Sequence, residues 1–142
     1  MRRAAPVCSE EVVAVPPSTP GRLDSIRGFL RQTALRNARL AVSDSMPELA
    51  NLQEIRQAMP RLYPRELRDA GLGGTALSFV VIDTAGVPTP SSLVKSTGHL
   101  RLDQSSDSII NLMRFYPAVL DGCRAPSAAL IPVTWTVKGS LR

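Results

Sequence analysis

Histidine, lysine, aromatic side chains and long apolar runs are all scarce in this 142-residue chain, and each scarcity removes a class of function. His99 is the one histidine, and the two cysteines, Cys8 and Cys123, lie far apart without metal-ligand spacing. A zinc site would need an unusual carboxylate-rich set, so neither a metal nor another cofactor is expected. The two thiols suit one disulfide in an oxidising compartment, but their spacing does not show that they meet. "VVAV" at Val12–Val15 stops at a double proline, far short of the roughly 20 residues of a membrane span. "MRRAAPVCSEE" begins like the basic region of an export signal, yet no apolar region follows. By itself the sequence reads as soluble and without an export signal.

What is present is arginine and proline. Formal charge is +5 and the pI about 10.0, with Lys95 and Lys138 the only lysines among 17 basic residues. Such a balance raises the question of nucleic acid. Residues 1–62 carry nine arginines against six acids, and residues 63–142 carry eight basic residues against six acids, so the charge is spread thinly. Aromatics, at 4%, are too few to interleave with arginines as a base-stacking platform. Solvated faces are the simpler account, and no nucleic-acid partner is expected.

Twelve prolines punctuate many short elements. Residues 1–21 read as a disordered or linker tail ending in "PPSTPG". Residues 22–62 read as a helical segment. Leu23, Ile26, Leu30, Ala34, Ala38 and Ala41 recur at three- and four-residue steps, predicting one amphipathic helix over Arg22–Val42. Asn51 and Glu54 form a capping-box-like start for a second helix through Met59, which Pro60 breaks or kinks. Pro64 opens a short helix that Gly71 stops. "GTALSFVVID", the turn "DTAG" and "VPTPSSLVKS" read as a hairpin turning at Gly86, with Pro88 and Pro90 marking its second strand as an edge. A helix is expected from Leu100 to Arg114 with Leu102, Ser106, Ile109 and Met113 on its buried face, then a turn-rich connector. Ile131, Val133, Trp135 and Val137 alternate in a final strand that Pro132 also marks as an edge.

"KSTGHLRLD" places Ser96, Thr97, His99 and Asp103 close together, which invites a nucleophile, a base and its orienter. They fall across a strand end, a turn and a helix start, so their side chains should diverge, and no nucleophile elbow is nearby. Local structure accounts for them. Gly98 permits the turn, Ser96 or Thr97 bonds exposed amides, and Asp103 complements the helix dipole. A small hydrolase built on Ser96, His99 and Asp103 is the rejected alternative, and no catalytic residue is expected.

From Tyr63 onward the ordered series "YP", "LRDAGLGGT", "VVID", "STGHLRLD", "FYPA" and "PVTW" resembles the C-terminal domain of the TonB energy-transducer family. The resemblance covers roughly residues 47–137, and 63–138 would form the domain itself. Ser105 and Ser106 stand where the family has Ala-Ala, and Trp135 where it ends its last strand with Phe. The resemblance implies an α+β fold, a three-stranded antiparallel sheet packed on helices, with the proline-bearing strands on both edges. It implies a periplasmic, non-enzymatic module whose partner is the TonB box of an outer-membrane transporter, supporting import of siderophores, vitamins or similar nutrients. The segment would be added as a strand along Leu130, Ile131, Val133, Thr134, Trp135 and Thr136, with Tyr63 and Pro64 close by. Coupling to the inner-membrane ExbB–ExbD complex would require an anchor outside this chain; the alternative is a stand-alone periplasmic interaction domain. In the family's pattern Ala76, Ser78, Val80 and Ile82 face the helices. Leu77, Phe79 and Val81 then leave a second apolar face, and the expectation is that the Arg22–Val42 helix, with the Asn51–Met59 helix, covers it. A homodimer interface is the competing use of that face.

Overall fold

Nine residues rich in β-branched and aromatic side chains form the strand around which everything else is arranged. A computed structural model describes residues 5–16, 23–43, 47–89 and 92–137. In it β4 (Gly74–Ile82) pairs antiparallel with β5 (Ser92–Lys95) on one side and β9 (Ser127–Trp135) on the other. The β4–β9 register runs unbroken from Gly74 opposite Trp135 to Ile82 opposite Ser127. The hairpin turn forms as its sequence demands: the Asp83 carboxylate accepts the Ala85 and Val87 amides, both at 2.9 Å, and Gly86 takes φ 84°. β5 lies at the sheet edge, while Pro90 falls outside the described residues.

The fold is α+β, but the sheet has five strands, in the order β2-β1-β9-β4-β5, where three were expected. The two extra strands correct the reading of the N-terminus. β1 (Val12–Val15) lies inside the supposed tail and is at most 2% exposed. The supposed long helix is α1 (Leu23–Leu30) followed by a turn and β2 (Arg39–Val42), which pairs parallel with β1. The alanines at 34, 38 and 41 fit a helical period but contribute little apolar area to hold one. At Thr33 the hydroxyl donates to the Leu30 carbonyl and accepts the Leu35 amide, closing the turn instead. Because β1 continues the sheet past the start of β9, β9 is not an edge strand along its whole length, contrary to the inference from Pro132.

The residues before β1 are also held. Ala5–Cys8 run beside β8 (Cys123–Ala125), which forms a hairpin with β7 (Ala118–Leu120). The Arg124 amide donates to the Pro6 carbonyl, the Cys8 amide to the Arg124 carbonyl, and the Arg124 guanidinium to the Ala5 and Thr84 carbonyls. Cys8 and Cys123 are joined in a disulfide, Cα to Cα 4.9 Å, closing a loop between residues 115 apart. The turn-rich connector therefore contains a hairpin, and also β6 (Phe115–Tyr116), paired with β3 (Glu48–Leu49).

Each sheet face carries its own core. On one, α2 (Leu52–Leu62) and α4 (Leu100–Leu112) enclose Val80, Ile82, Val133 and Trp135 with Leu102, Ile109 and Met113. The four family-facing positions Ala76, Ser78, Val80 and Ile82 are all buried. On the other face Ile26 and Leu30 of α1 pack with Val13, Val15, Phe79, Val81 and Ala128. Phe29 stacks on Phe79 with ring centroids 4.6 Å apart. Helix α1 thus covers Phe79 and Val81 as expected, each contributing about 1.5–3 kcal/mol of burial. Leu77 remains half-buried beyond it. The second helix, α2, contributes nothing to this face and packs on α4 across the sheet.

Two local expectations for α2 also change. Asn51 precedes α2 and its amide donates to the Glu54 carboxylate at 3.0 Å, but it caps no backbone amide of the helix. The same amide donates to the Leu112 carbonyl at 2.8 Å and its oxygen accepts the Arg114 amide at 2.9 Å, so it ties α2 to the end of α4. Pro60 does not break the helix, which runs on to Leu62. In the last turn a proline forfeits one ladder bond and only one further residue of this helix follows its neighbour Arg61. The short α3 (Arg65–Asp69) then leads to Gly71 at φ 74° and back into β4.

Candidate functional site

The strand termini decide which backbone groups remain available. The Ala14 amide donates to the Pro126 carbonyl at 2.8 Å, and Ala14 lies opposite Ser127 in the parallel pair. The Pro126 carbonyl therefore faces β1, and backbone groups alternate sides along a strand. By that alternation Ala128, Leu130, Pro132 and Thr134 turn outward, and Thr136, one residue past the end of β9, would continue the series, whereas Ser127, Ala129, Ile131, Val133 and Trp135 turn to β4. A second hydrogen bond agrees. Val81, opposite Ala128, accepts the Thr89 amide at 2.8 Å on its far side, so the Val81–Ala128 pair exchanges no bonds. The paired stretch of β1 reaches only this start of β9; from Leu130 onward the outer edge has no strand beside it among the described residues. Pro132, whose missing N–H would have weakened an inner position, sits where its nitrogen faces outward.

Beside the far end of this edge lies a groove of about 580 Å³ lined by Met59, Pro60, Tyr63, Thr134, Trp135 and Thr136, with Arg56 and Arg68. Its wall is built by Tyr63 and Trp135, which meet edge to face at 5.2 Å. The Tyr63 hydroxyl donates to the Leu72 carbonyl at 2.6 Å. Burial pushes its phenol above the ordinary range, against the opposing pull of Arg68, so the ring stays neutral and presents an apolar face. The Trp135 indole donates to the Ser106 hydroxyl at 2.8 Å, and that hydroxyl donates to the Leu102 carbonyl at 2.8 Å. The serine that departs from the family's alanine is thus the acceptor that the larger Trp135 requires.

The residues singled out from sequence are brought together unevenly. Thr134, Trp135, Thr136 and Tyr63 line the groove. Pro64 does not; it opens α3 and lines a separate polar cleft with Glu66 and Arg101. Leu130 joins the α1 core, while Ile131 and Val133 join the α2–α4 core with their backbones committed to β4. Arg56, Met59, Pro60 and Arg68 were not anticipated. For Arg56, Met59 and Pro60 the signal was their place on the helix that leads into Tyr63, whereas Arg68 reaches the groove from α3.

Ser96, His99 and Asp103 do not form a triad. Asp103 accepts the Ser96 hydroxyl at 2.5 Å and the Thr97 amide and hydroxyl, each at 2.8 Å. The serine is therefore held by the acid rather than by a base, and the described hydrogen bonds of His99 are backbone ones. Burial raises the Asp103 carboxyl, but the bonds from Ser96 and Thr97, helped by nearby His99, outweigh it and hold it below the usual carboxylate range. Gly98 takes φ 94° as the turn requires. The stretch is a joint between β5 and α4. Among the described residues no cluster of three His, Cys, Asp or Glu side chains could hold a metal ion, and no helix is long and apolar enough to cross a membrane.

The described residues thus place unpaired strand-edge backbone groups beside an apolar groove. Residues 59–137, more than half of the chain, match the Gram-negative bacterial TonB protein C-terminal family, and the chain belongs to that family. The Protein TonB of Vibrio cholerae is 34% identical over 83 residues, 58% of this chain. The match spans about a third (34%) of that relative's length. Two solution structures are similar: the Pseudomonas aeruginosa TonB C-terminal domain and the Helicobacter pylori one. The first has 20% identity and a TM-score of 0.47, covering 54% of this chain and 77% of that one. For the second the values are 23% and 0.41, covering 61% and 80%.

Proposed function

We propose that this chain is the partner-binding domain of a TonB-type energy transducer and takes the TonB box of an outer-membrane transporter as an added strand along β9. The observation that carries this is the stretch of outward backbone groups from Leu130 to Thr136 running to the Tyr63–Trp135 groove. Backbone hydrogen bonds supply affinity there, and the groove takes an apolar side chain of the segment. Family membership supports the same reading, as does the disulfide, which suits the oxidising periplasm. Nutrient import would follow if an anchor outside this chain couples it to ExbB–ExbD.

The test is a titration of the isotopically labelled chain with a TonB-box peptide. Amide signals of Leu130, Thr134 and Thr136 should shift together with those around Tyr63, and Thr134→Pro should weaken binding by removing a donor. Shifts confined to Ser92–Lys95, or no shift at millimolar peptide, would sink the reading.

A further inference from the structure

The N-terminal strand decides how much of β9 a partner can use. We infer that β1 and Pro132 together set the length and register of the added strand: it lies end to end with β1, pairs over about seven residues, and leaves a carbonyl without a donor opposite Pro132. This rests on strand addition at β9 and makes it more specific.

Ala14 already holds the outer edge at Pro126 and Ser127. Two residues past Ala14, just beyond the end of β1, stands Pro16, and proline has no N–H to donate to a further rung of the ladder. Among the described residues the edge left for a partner runs from Leu130 to Thr136, about 23 Å of extended chain. Displacing β1 to gain more edge would mean exposing Val12–Val15, buried at 0–2% with β2 at their back. The Cys8–Cys123 disulfide and the bonds from Arg124 hold the segment just before them. A partner strand therefore stops where β1 ends. Within the open stretch the outward residues are Leu130, Pro132, Thr134 and Thr136. All four offer carbonyls, but only Leu130, Thr134 and Thr136 offer N–H donors. A segment slipped by two residues would face the gap at a different place, so the gap distinguishes registers that a uniform edge would not. It also blunts the edge against pairing with a second copy, as proline does on exposed strands.

Amide hydrogen exchange of the oxidised full chain, with and without a TonB-box peptide, tests this directly. Bound peptide should slow exchange at Leu130, Thr134 and Thr136 by at least about tenfold, one or more new hydrogen bonds each, and leave Val12–Val15 and Ala128 unchanged. Pro132→Ala supplies the missing donor and should tighten binding by about fivefold, the yield of one net backbone hydrogen bond. Peptides lengthened one residue at a time should stop gaining affinity, at the end that meets Pro16, once about seven residues are paired. Binding with loss of protection at Val12–Val15, or with Pro132→Ala no tighter than the parent, overturns the inference while leaving strand addition standing. Absence of any binding removes both.

Discussion

Removing the Ser106 hydroxyl isolates a buried hydrogen bond that the fold requires. Ser106 is 1% exposed and Trp135 is 2% exposed, so water cannot replace the acceptor that Ser106→Ala takes from the indole N–H. The Leu102 carbonyl that also loses the serine hydroxyl keeps its helical backbone position. One orphaned donor is the net damage, at about 1–3 kcal/mol. Trp135→Phe alone should cost a comparable amount, because the smaller ring leaves a void beside Tyr63. The double substitution, which recreates the family's Ala and Phe, orphans nothing. It should be less destabilising than the sum of the two by about 1–2 kcal/mol. Urea unfolding followed by far-ultraviolet circular dichroism avoids dependence on the tryptophan itself. With a slope of about 1–3 kcal/mol/M, Ser106→Ala should lower the midpoint by roughly half a molar to one molar. Additivity of the two changes within about 0.5 kcal/mol would refute the pairing.

The disulfide closes nearly the whole chain, so Cys8→Ser with Cys123→Ser should cost about 2–5 kcal/mol in urea unfolding; no loss would mean Ala5–Val15 are held adequately without it. Phe29→Ala should cost about 1–3 kcal/mol and admit a hydrophobic dye to Phe79, whereas an unchanged melt and dye signal would deny α1 its role as the cover. Gly98→Val should destabilise by about 1–3 kcal/mol because φ 94° suits no β-branched residue, and His99→Ala by about 1 kcal/mol or less; equal small effects would show the turn to be unconstrained. The Asp103 carboxyl is held below its unfolded value of about 3.9, so its contribution is complete above that pH and lost as pH falls through the folded value. Melting temperatures of the parent and of Asp103→Asn should therefore converge below about pH 4, and a gap that stays constant there would exclude the carboxylate as the cause.

How much was legible in the sequence depends on how far each element's partners lie along the chain. The β4–β5 hairpin, helix α4 and the joint at Ser96–Asp103 follow from local chemistry: an Asp–Gly turn, a helical apolar stripe, and a glycine at positive φ with an acceptor in the first turn. The ordered motifs from Tyr63 onward were enough to identify the family. The second apolar face of β4 was legible too, since Phe79 and Val81 on a central strand must be covered. What local pattern could not supply was β1. Four apolar residues before a double proline look like a tail until their partners are counted, and those partners stand at Arg39–Val42 and at Ser127. The same holds for the helical period that became α1, a turn and β2, because alanines at helical spacing satisfy either outcome and only the vacant edge of β1 selects a strand. Pro132 marks an edge strand in sequence, yet β9 stands inside the sheet, and its outer side is free of a neighbouring strand only past the place where β1 stops beside it. Residue types determined which groups can pair; the tertiary arrangement, by bringing residues 14 and 127 together, decided which were left unpaired.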